Sequence, residues 1–332
     1  MFKKDPLQII AFQTYGSSKH LYLRGRAIED ENIDLEHKGV FKLLSNAWKR
    51  FETDEIRHTD LQIKIGDERF FYTKTDEQGY FLFDEKVDDL SEYINEEGWL
   101  HIEFSYKDVN PERTIQSNNR FPAEMVVPSE KTSFGVISDI DDTILHTGLV
   151  STLKWRVLFN TLLTSAGKRL PLEGASEFYH MLHRGASGKE ANPIFYVSHS
   201  PWNLYRYLEY FLKKNKFPKG PIILRGFPSP FAKKEKDEKP QKQKEIINLL
   251  QAYPNLKFIL IGDSGEHDPD IYLEIAESYP DRISAIYLRS VKHKKKMLRV
   301  EGLYKTYKIT PALLVESSEQ AIEHARTYGF IS

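Results

Sequence analysis

Asp139-Ile140-Asp141-Asp142-Thr143 sets two carboxylates two residues apart, directly after the apolar run Phe134 to Ile137. Side chains alternate along a strand, so Asp139 and Asp141 can point the same way beyond the carboxyl end of a sheet. Open α/β folds bind their ligands at that edge. Two carboxylates placed there repel each other unless a cation sits between them or one keeps its proton. Either state serves phosphoryl transfer, and the stretch reads as an acidic phosphotransfer site. The competing reading is a turn and helix N-cap, since Asp and Thr both cap helices; Asp142 is assigned that structural part.

Three more segments carry residues of the right type. Ser198 follows the apolar strand Ile194-Phe195-Tyr196-Val197. A lysine stands at the head of an amphipathic helix spanning Gln241 to Ala252, and Gly262-Asp263-Ser264-Gly265-Glu266-His267-Asp268 follows the strand Phe258 to Ile261. In one parallel sheet all four segments converge on one edge. Pro240 sits where a helix can begin, which puts Lys242 in the first turn and favours it over Lys239 and Lys244. Each residue also has a structural reading. Ser198 could satisfy a loop backbone, a part for which Ser200 before Pro201 is the better candidate. His267 is read as lining or capping the site.

Those residues need a scaffold, and the chain supplies it from about Thr132 onward. Strands at Phe134–Ser138, Ile194–Val197, Ile222–Leu224, Phe258–Ile261, Ile283–Leu288 and Ala312–Val315 alternate with helices around Phe178–Leu182, Trp202–Lys213, Gln241–Ala252, after Pro269 and at the end. Short continuous apolar strands alternating with helices imply a parallel sheet covered on both faces. The first third reads as β instead. Leu61, Ile63 and Ile65 alternate with polar residues, as do Leu100, Ile102 and Phe104, and Asp76-Glu77-Gln78-Gly79 turns into a strand at Tyr80–Phe83. A small antiparallel sandwich is expected, interrupted by one helix with Phe41, Leu44, Trp48 and Phe51 on one face. Pro111, Pro122 and Pro128 mark a linker or covering segment between Asn110 and Lys131. The expected domains are 1–128, with the linker, and 129–332.

Composition narrows the classes. The 332 residues suit two domains, and 40% apolar with 29% charged residues is ordinary for a globular chain. A formal net charge of -1 argues against a general nucleic-acid binder. The lack of cysteine excludes disulfides, zinc-thiolate sites and thiol catalysis. No apolar run reaches the roughly 18 residues of a membrane span. The start, Met1-Phe2-Lys3-Lys4-Asp5-Pro6, lacks a hydrophobic segment and cleavage site, so the cytoplasm is expected. Phosphate-loop and Gly-x-Gly-x-x-Gly fingerprints are absent. The basic runs Lys233–Lys244 and Lys292–Lys296 read as solvated surface, with attraction to an anionic membrane as the second reading. Leu153, Trp155, Leu158, Phe159 and Leu162, mixed with Lys154 and Arg156, fit an interfacial helix over the site and a packed cap equally well.

The order of motifs is similar to that of the haloacid dehalogenase (HAD) superfamily of phosphohydrolases. More narrowly, Ser138-Asp139-Ile140-Asp141-Asp142-Thr143, Tyr196-Val197-Ser198-His199-Ser200-Pro201-Trp202 and Gly262-Asp263-Ser264-Gly265-Glu266-His267-Asp268-Pro269 resemble the App1 family of phosphatidate phosphatases. The resemblance covers roughly Lys131 to the C-terminus. It implies a doubly wound, HAD-like (Rossmannoid) parallel sheet behind the antiparallel β-sandwich-like domain. It further implies hydrolysis of phosphatidate to diacylglycerol and phosphate, at a membrane surface. Asp139 would be the nucleophile that becomes an aspartyl-phosphate, and Asp141 the general acid and base. Ser198, Thr143 and Lys242 would hold the phosphoryl group, with Lys242 neutralising its charge. Mg²⁺ would be held by Asp139, the backbone carbonyl of Asp141, Asp263 and Asp268. Two other readings stay open: a phosphatase for a small soluble ester such as a sugar phosphate or nucleotide, and a non-catalytic binding or adaptor protein.

Overall fold

The computed structural model describes residues 6–29, 55–108, 113–129, 132–140, 173–225, 239–265, 267–290, 294–305 and 307–332. Contacts divide the chain into two compact units, Met1–Ser129 and Glu130–Ser332. The expected helix around Phe41–Phe51 and the segment Leu153–Leu162 lie outside the described residues.

The first unit is built from β1 (Leu7–Ala11), β2 (Thr14–Tyr15), β3 (His20–Glu29), β4 (Asp60–Ile65), β5 (Arg69–Lys74), β6 (Tyr80–Lys86), β7 (Trp99–Tyr106) and β8 (Phe121–Val126). They form two sheets, ordered β1-β3-β6 and β2-β8-β7-β4-β5. Every pairing is antiparallel except the short β2–β8 contact. Alternation explains the burial. Leu61, Ile63 and Ile65 point inward from β4, and Leu100, Ile102 and Phe104 from β7, to meet Leu21, Leu23 and Phe81 of the other sheet in one core. The turn before β6 is made by Asp76, whose Oδ1 accepts the backbone N–H of Gln78 at 2.8 Å and of Tyr80 at 2.9 Å. Gly79 supplies the positive φ of 75° that the turn requires.

One expectation fails here. The segment expected as a linker contributes β8, which lies between β2 and β7. Pro122 is tolerated because β2 pairs only with Met125 and Val126, so on that side the ladder asks no N–H of residue 122.

The second unit contains β9 (Gly135–Asp139), α1 (Ala175–Arg184), β10 (Ile194–Pro201), α2 (Tyr205–Lys214), β11 (Ile222–Arg225), α3 (Gln241–Ala252), β12 (Phe258–Asp263), α4 (Asp268–Ser278), β13 (Ile283–Arg289), α5 (Lys294–Lys305), β14 (Ala312–Val315) and α6 (Ser318–Thr327). Its six strands form one sheet in the order β11-β10-β9-β12-β13-β14, parallel throughout. Helices cover both faces. Neighbouring residues on β10 point oppositely: Phe195 packs its ring 5.8 Å from that of Tyr253 just past α3, while Tyr196 stacks at 6.4 Å on Tyr179 of α1. Burial on both sides is why β9 and β12 are apolar without alternation. The architecture is therefore α/β, a parallel sheet accompanied by antiparallel sheets. Two local differences from expectation stand out. β10 does not stop at Val197 but continues through Ser198 to Pro201 with an irregular register. The basic run before residue 297 opens the helix α5, which the lysine-rich sequence did not suggest. Among the described residues no helix is long and apolar enough to cross a membrane.

Candidate active site

β9 occupies an interior position in the sheet, with β10 on one side and β12 on the other. Its last residue, Asp139, is in register with Val197, and Ser138 with Ile261. The carboxyl ends of three adjacent strands therefore bring Asp139, Ser198 and Asp263 to one edge. Strand alternation then sorts the two faces. The Ser138 hydroxyl lies 2.6 Å from Tyr179 Oη on the α1 side and donates to the carbonyl of Asp139 at 2.8 Å. Asp139, the next residue, turns its carboxylate to the opposite face, where α3 and α4 begin.

Lys242 is waiting there. Buried positions on α3 include 242, 246 and 249, the spacing of one helical face, so this lysine belongs to the core-facing stripe. Its Nζ donates to Asp139 Oδ1 at 2.8 Å and to Asp268 Oδ1 at 2.5 Å. Burial alone would push the ammonium toward its neutral form; the charges of Asp139 and Asp268, with the hydrogen bonds to both, outweigh that and hold its pKa above the ordinary lysine value. The other two candidate lysines stand elsewhere: Lys239 pairs with Glu274 at 3.3 Å on the surface, and Lys244 is only partly buried.

Asp268 is the first residue of α4, with Pro269 behind it in the first turn. A carboxylate at a helix start is favoured by the helix dipole. Gly262 makes the approach possible, because a Cβ at that position would stand 2.4 Å from Asp268 Oδ2 and 2.7 Å from the Tyr272 ring. Asp263 itself accepts the N–H of Gly265 at 2.5 Å. One oxygen from each of Asp139, Asp263 and Asp268 lies within 4.8 Å of the others. Bonds of about 2.0–2.1 Å to a hard octahedral cation span about 4 Å across it, so this all-oxygen set fits a divalent ion such as Mg²⁺. The three acids and Lys242 are all at most 2% exposed. Three carboxylates gathered in a dry place repel one another, and a cation would offset that repulsion.

The remaining expected residues divide. Ser198 is 5% exposed, and its Oγ accepts the N–H of Ser200 at 2.9 Å, the local loop contact weighed as the structural alternative. His267 is exposed and occupies the N-cap position of α4 without a side-chain capping bond. Asp141 and Thr143 lie outside the described residues. Sequence reasoning passed over Tyr179 and Tyr272, the latter donating to the Ile261 carbonyl at 2.9 Å. Nothing in their spacing separates them from ordinary core tyrosines.

A match to the catalytic domain of phosphatidate phosphatase APP1 spans residues 134–290, from just before β9 to just after β13. Residues 134–290 belong to the App1-like family. A Saccharomyces cerevisiae protein named phosphatidate phosphatase APP1 is 33% identical over 263 residues, covering 76% of this chain and 42% of that protein. An uncharacterised protein of Schizosaccharomyces pombe is 28% identical over 259 residues, covering 77% of this chain and 40% of its own length. The chain thus spans about two fifths of the App1-like relatives it matches. Among solved structures, Bacteroides thetaiotamicron EndoBT-3987 with Man5GlcNAc product aligns over 86% of this chain and 72% of that one, at 10% identity and a TM-score of 0.20. So slight a likeness bears on neither fold nor function.

Proposed function

We propose that this App1-like chain is a Mg²⁺-dependent phosphomonoester hydrolase of HAD type that converts phosphatidate to diacylglycerol and phosphate at a membrane surface facing the cytosol. The observation that carries the reading is the buried meeting of Asp139, Asp263, Asp268 and Lys242 at the carboxyl edge of a parallel sheet. The name of the S. cerevisiae relative supports the substrate.

In this mechanism an Asp139 carboxylate oxygen attacks phosphorus. The new O–P bond forms as the ester P–O bond breaks, and the leaving alkoxide takes a proton from Asp141. Asp141 then accepts a proton from the water that attacks the aspartyl-phosphate, so phosphate departs and Asp139 is regenerated. Asp141 and Thr143 enter on the family resemblance alone. Asp139, Asp263 and Asp268, with the backbone carbonyl of Asp141, would hold the ion. Bound Mg²⁺ would neutralise charge on the phosphoryl oxygens and draw the acids together. Lys242 keeps a positive charge beside the nucleophile at all physiological pH and stabilises the charge that builds on the transferring group. Asp268, bonded to Lys242, aims the ammonium. Ser198 would donate to a phosphoryl oxygen.

The test is a hydrolysis panel, phosphatidate in mixed micelles beside soluble sugar phosphates and nucleotides, each with and without Mg²⁺. Mg²⁺-dependent release of phosphate from phosphatidate is expected, falling by about 10⁴-fold or more in Asp139→Asn. Turnover of the soluble esters alone would replace the lipid by a small-molecule substrate. No turnover on any ester would point to a binding protein, and full activity in Asp139→Asn would remove the nucleophile.

A further inference from the structure

Between positions 294 and 308 the sequence places Lys294, Lys295, Lys296, Arg299, Lys305 and Lys308 against the single acid Glu301. The whole chain balances 47 basic against 48 acidic residues, so this excess is local and creates a local field. Helix stability does not ask for it. α5 begins with three lysines and has no acid in its first turn, where the helix dipole favours negative charge. α2 and α3 likewise lack one, whereas α1, α4 and α6 each carry an acid there.

The helix uses its apolar stripe on the protein itself. Val300 is buried, Met297 and Tyr304 are partly buried, and Tyr304 Oη donates to the Pro269 carbonyl at 2.9 Å. On the other side Lys295, Leu298 and Lys305 are exposed, Leu298 by 57%. Just past the helix Lys308 and Ile309 repeat the pairing of a lysine with an exposed aliphatic side chain, Ile309 by 64%. Arg299 is engaged with Asp270 and adds little to the outward field.

The start of α5 is also fastened to the candidate site. Met297 Sδ accepts the hydroxyls of Ser264 and Ser290, each at 3.3 Å. Ser264 follows Asp263 directly, and Ser290 follows Arg289, which is in register with Asp263. Whatever holds this helix holds the edge of the sheet.

We propose that the outward face of α5, made by Lys295, Leu298 and Lys305, docks on an anionic lipid surface and so delivers the carboxyl edge of the sheet to lipid headgroups. The contact is chiefly electrostatic, with Leu298 entering the headgroup region. The surface it names rests on the reading of the substrate as an anionic phospholipid.

Sedimentation of the full chain with phosphatidylcholine vesicles, with and without about one fifth phosphatidylserine, tests this without turnover, since phosphatidylserine is a phosphodiester. Binding should require the anionic lipid and weaken as salt rises. The double variant Lys295→Glu/Lys305→Glu should lose about tenfold or more in partitioning, because each basic residue near such a surface contributes about fivefold. Leu298→Ser should lose a few-fold. All these variants should melt like wild type and hydrolyse a soluble phosphomonoester at the wild-type rate. Wild type that ignores anionic vesicles, or a double variant that binds them equally well, overturns the proposal. Retention on heparin without vesicle binding also overturns it, in favour of a soluble acidic partner. Vesicle binding by a protein that hydrolyses no phosphatidate in detergent micelles would sink the substrate reading and leave the docking surface standing.

Discussion

Each unit of the molecule buries a cation, and the two solutions differ in charge balance. Arg26 of the first unit is 6% exposed; its Nε donates to the Gln78 carbonyl at 2.8 Å, Glu55 stands 3.4 Å from its guanidinium, and the Tyr80 ring lies 4.9 Å beneath. Burial lowers its pKa, with the charges of Tyr80, Glu55 and Asp76 opposing, and Glu55 also pairs with Arg57 at 3.1 Å. Lys242 of the second unit meets a cluster of three carboxylates, all buried. A carboxylate shared between two guanidinium groups needs no metal ion. Three gathered carboxylates store repulsion that a metal ion can relieve, and this separates a candidate reactive centre from a structural ion network.

Removing the cation from the second unit should have the largest effect. Lys242→Met takes away the positive charge and leaves Asp139 and Asp268 buried without it, a loss that costs about 3–5 kcal/mol for broken buried pairs. The variant should therefore be much less stable in a chelating buffer. Mg²⁺ should recover much of the deficit, since a ligand at a hundredfold its Kd stabilises by about 2.7 kcal/mol. Urea unfolding of both proteins with and without Mg²⁺ measures this. Equal stability in chelator would mean that the acids do not feel the lysine, and the comparison would break.

Much of this centre was legible because each piece has a strong local signature. An apolar run ending in Asp139, a second ending at Ile261 before Gly262-Asp263, and a lysine in phase with Ile246 and Leu249 can each be read from neighbours in sequence. Lys242 could be preferred over Lys239 and Lys244 because Pro240 marks the helix start and puts position 242 in the first turn. The parts that escaped depend on distant partners. β8 hid behind Pro122, which is harmless only where the neighbouring strand ends, and that is a fact about β2. β10 runs on through Ser198-His199-Ser200, polar residues whose burial is decided by the surrounding sheet. α5 was obscured because Met297, Val300 and Tyr304 are outnumbered by lysines, and only their packing turns a charged run into a helix. Tyr179 gave no sign of meeting Ser138.

The first unit should respond more mildly. Arg26→Met removes a charged hydrogen bond and leaves Glu55 partly exposed, so water can take over its solvation; the expected cost is about 1–2 kcal/mol. Mg²⁺ should not repair it, and hydrolysis of a soluble ester should proceed at the wild-type rate. A metal-dependent rescue of this variant, seen in the same urea titrations, would erase the distinction between the two buried cations.

The finest test lies inside the second unit, where a neutral pair sits one residue from the charged cluster. Burial pushes the Tyr179 phenol well above its ordinary range, against the opposing Ser138 hydrogen bond, so it stays protonated and donates to Ser138 Oγ while Ser138 donates to the Asp139 carbonyl. Tyr179→Phe removes one donor and leaves the serine still bonded to that carbonyl, for a cost near 1 kcal/mol. Ser138→Ala instead strands the buried phenol, at about 1–3 kcal/mol, and releases the carbonyl of the proposed nucleophile. Serine loss should therefore be the more damaging of the two in thermal unfolding, and it alone should slow turnover, because only it frees the backbone that aims Asp139. If the two substitutions prove equal in both measurements, the hydroxyl pair is ordinary packing and the charged cluster stands without its support.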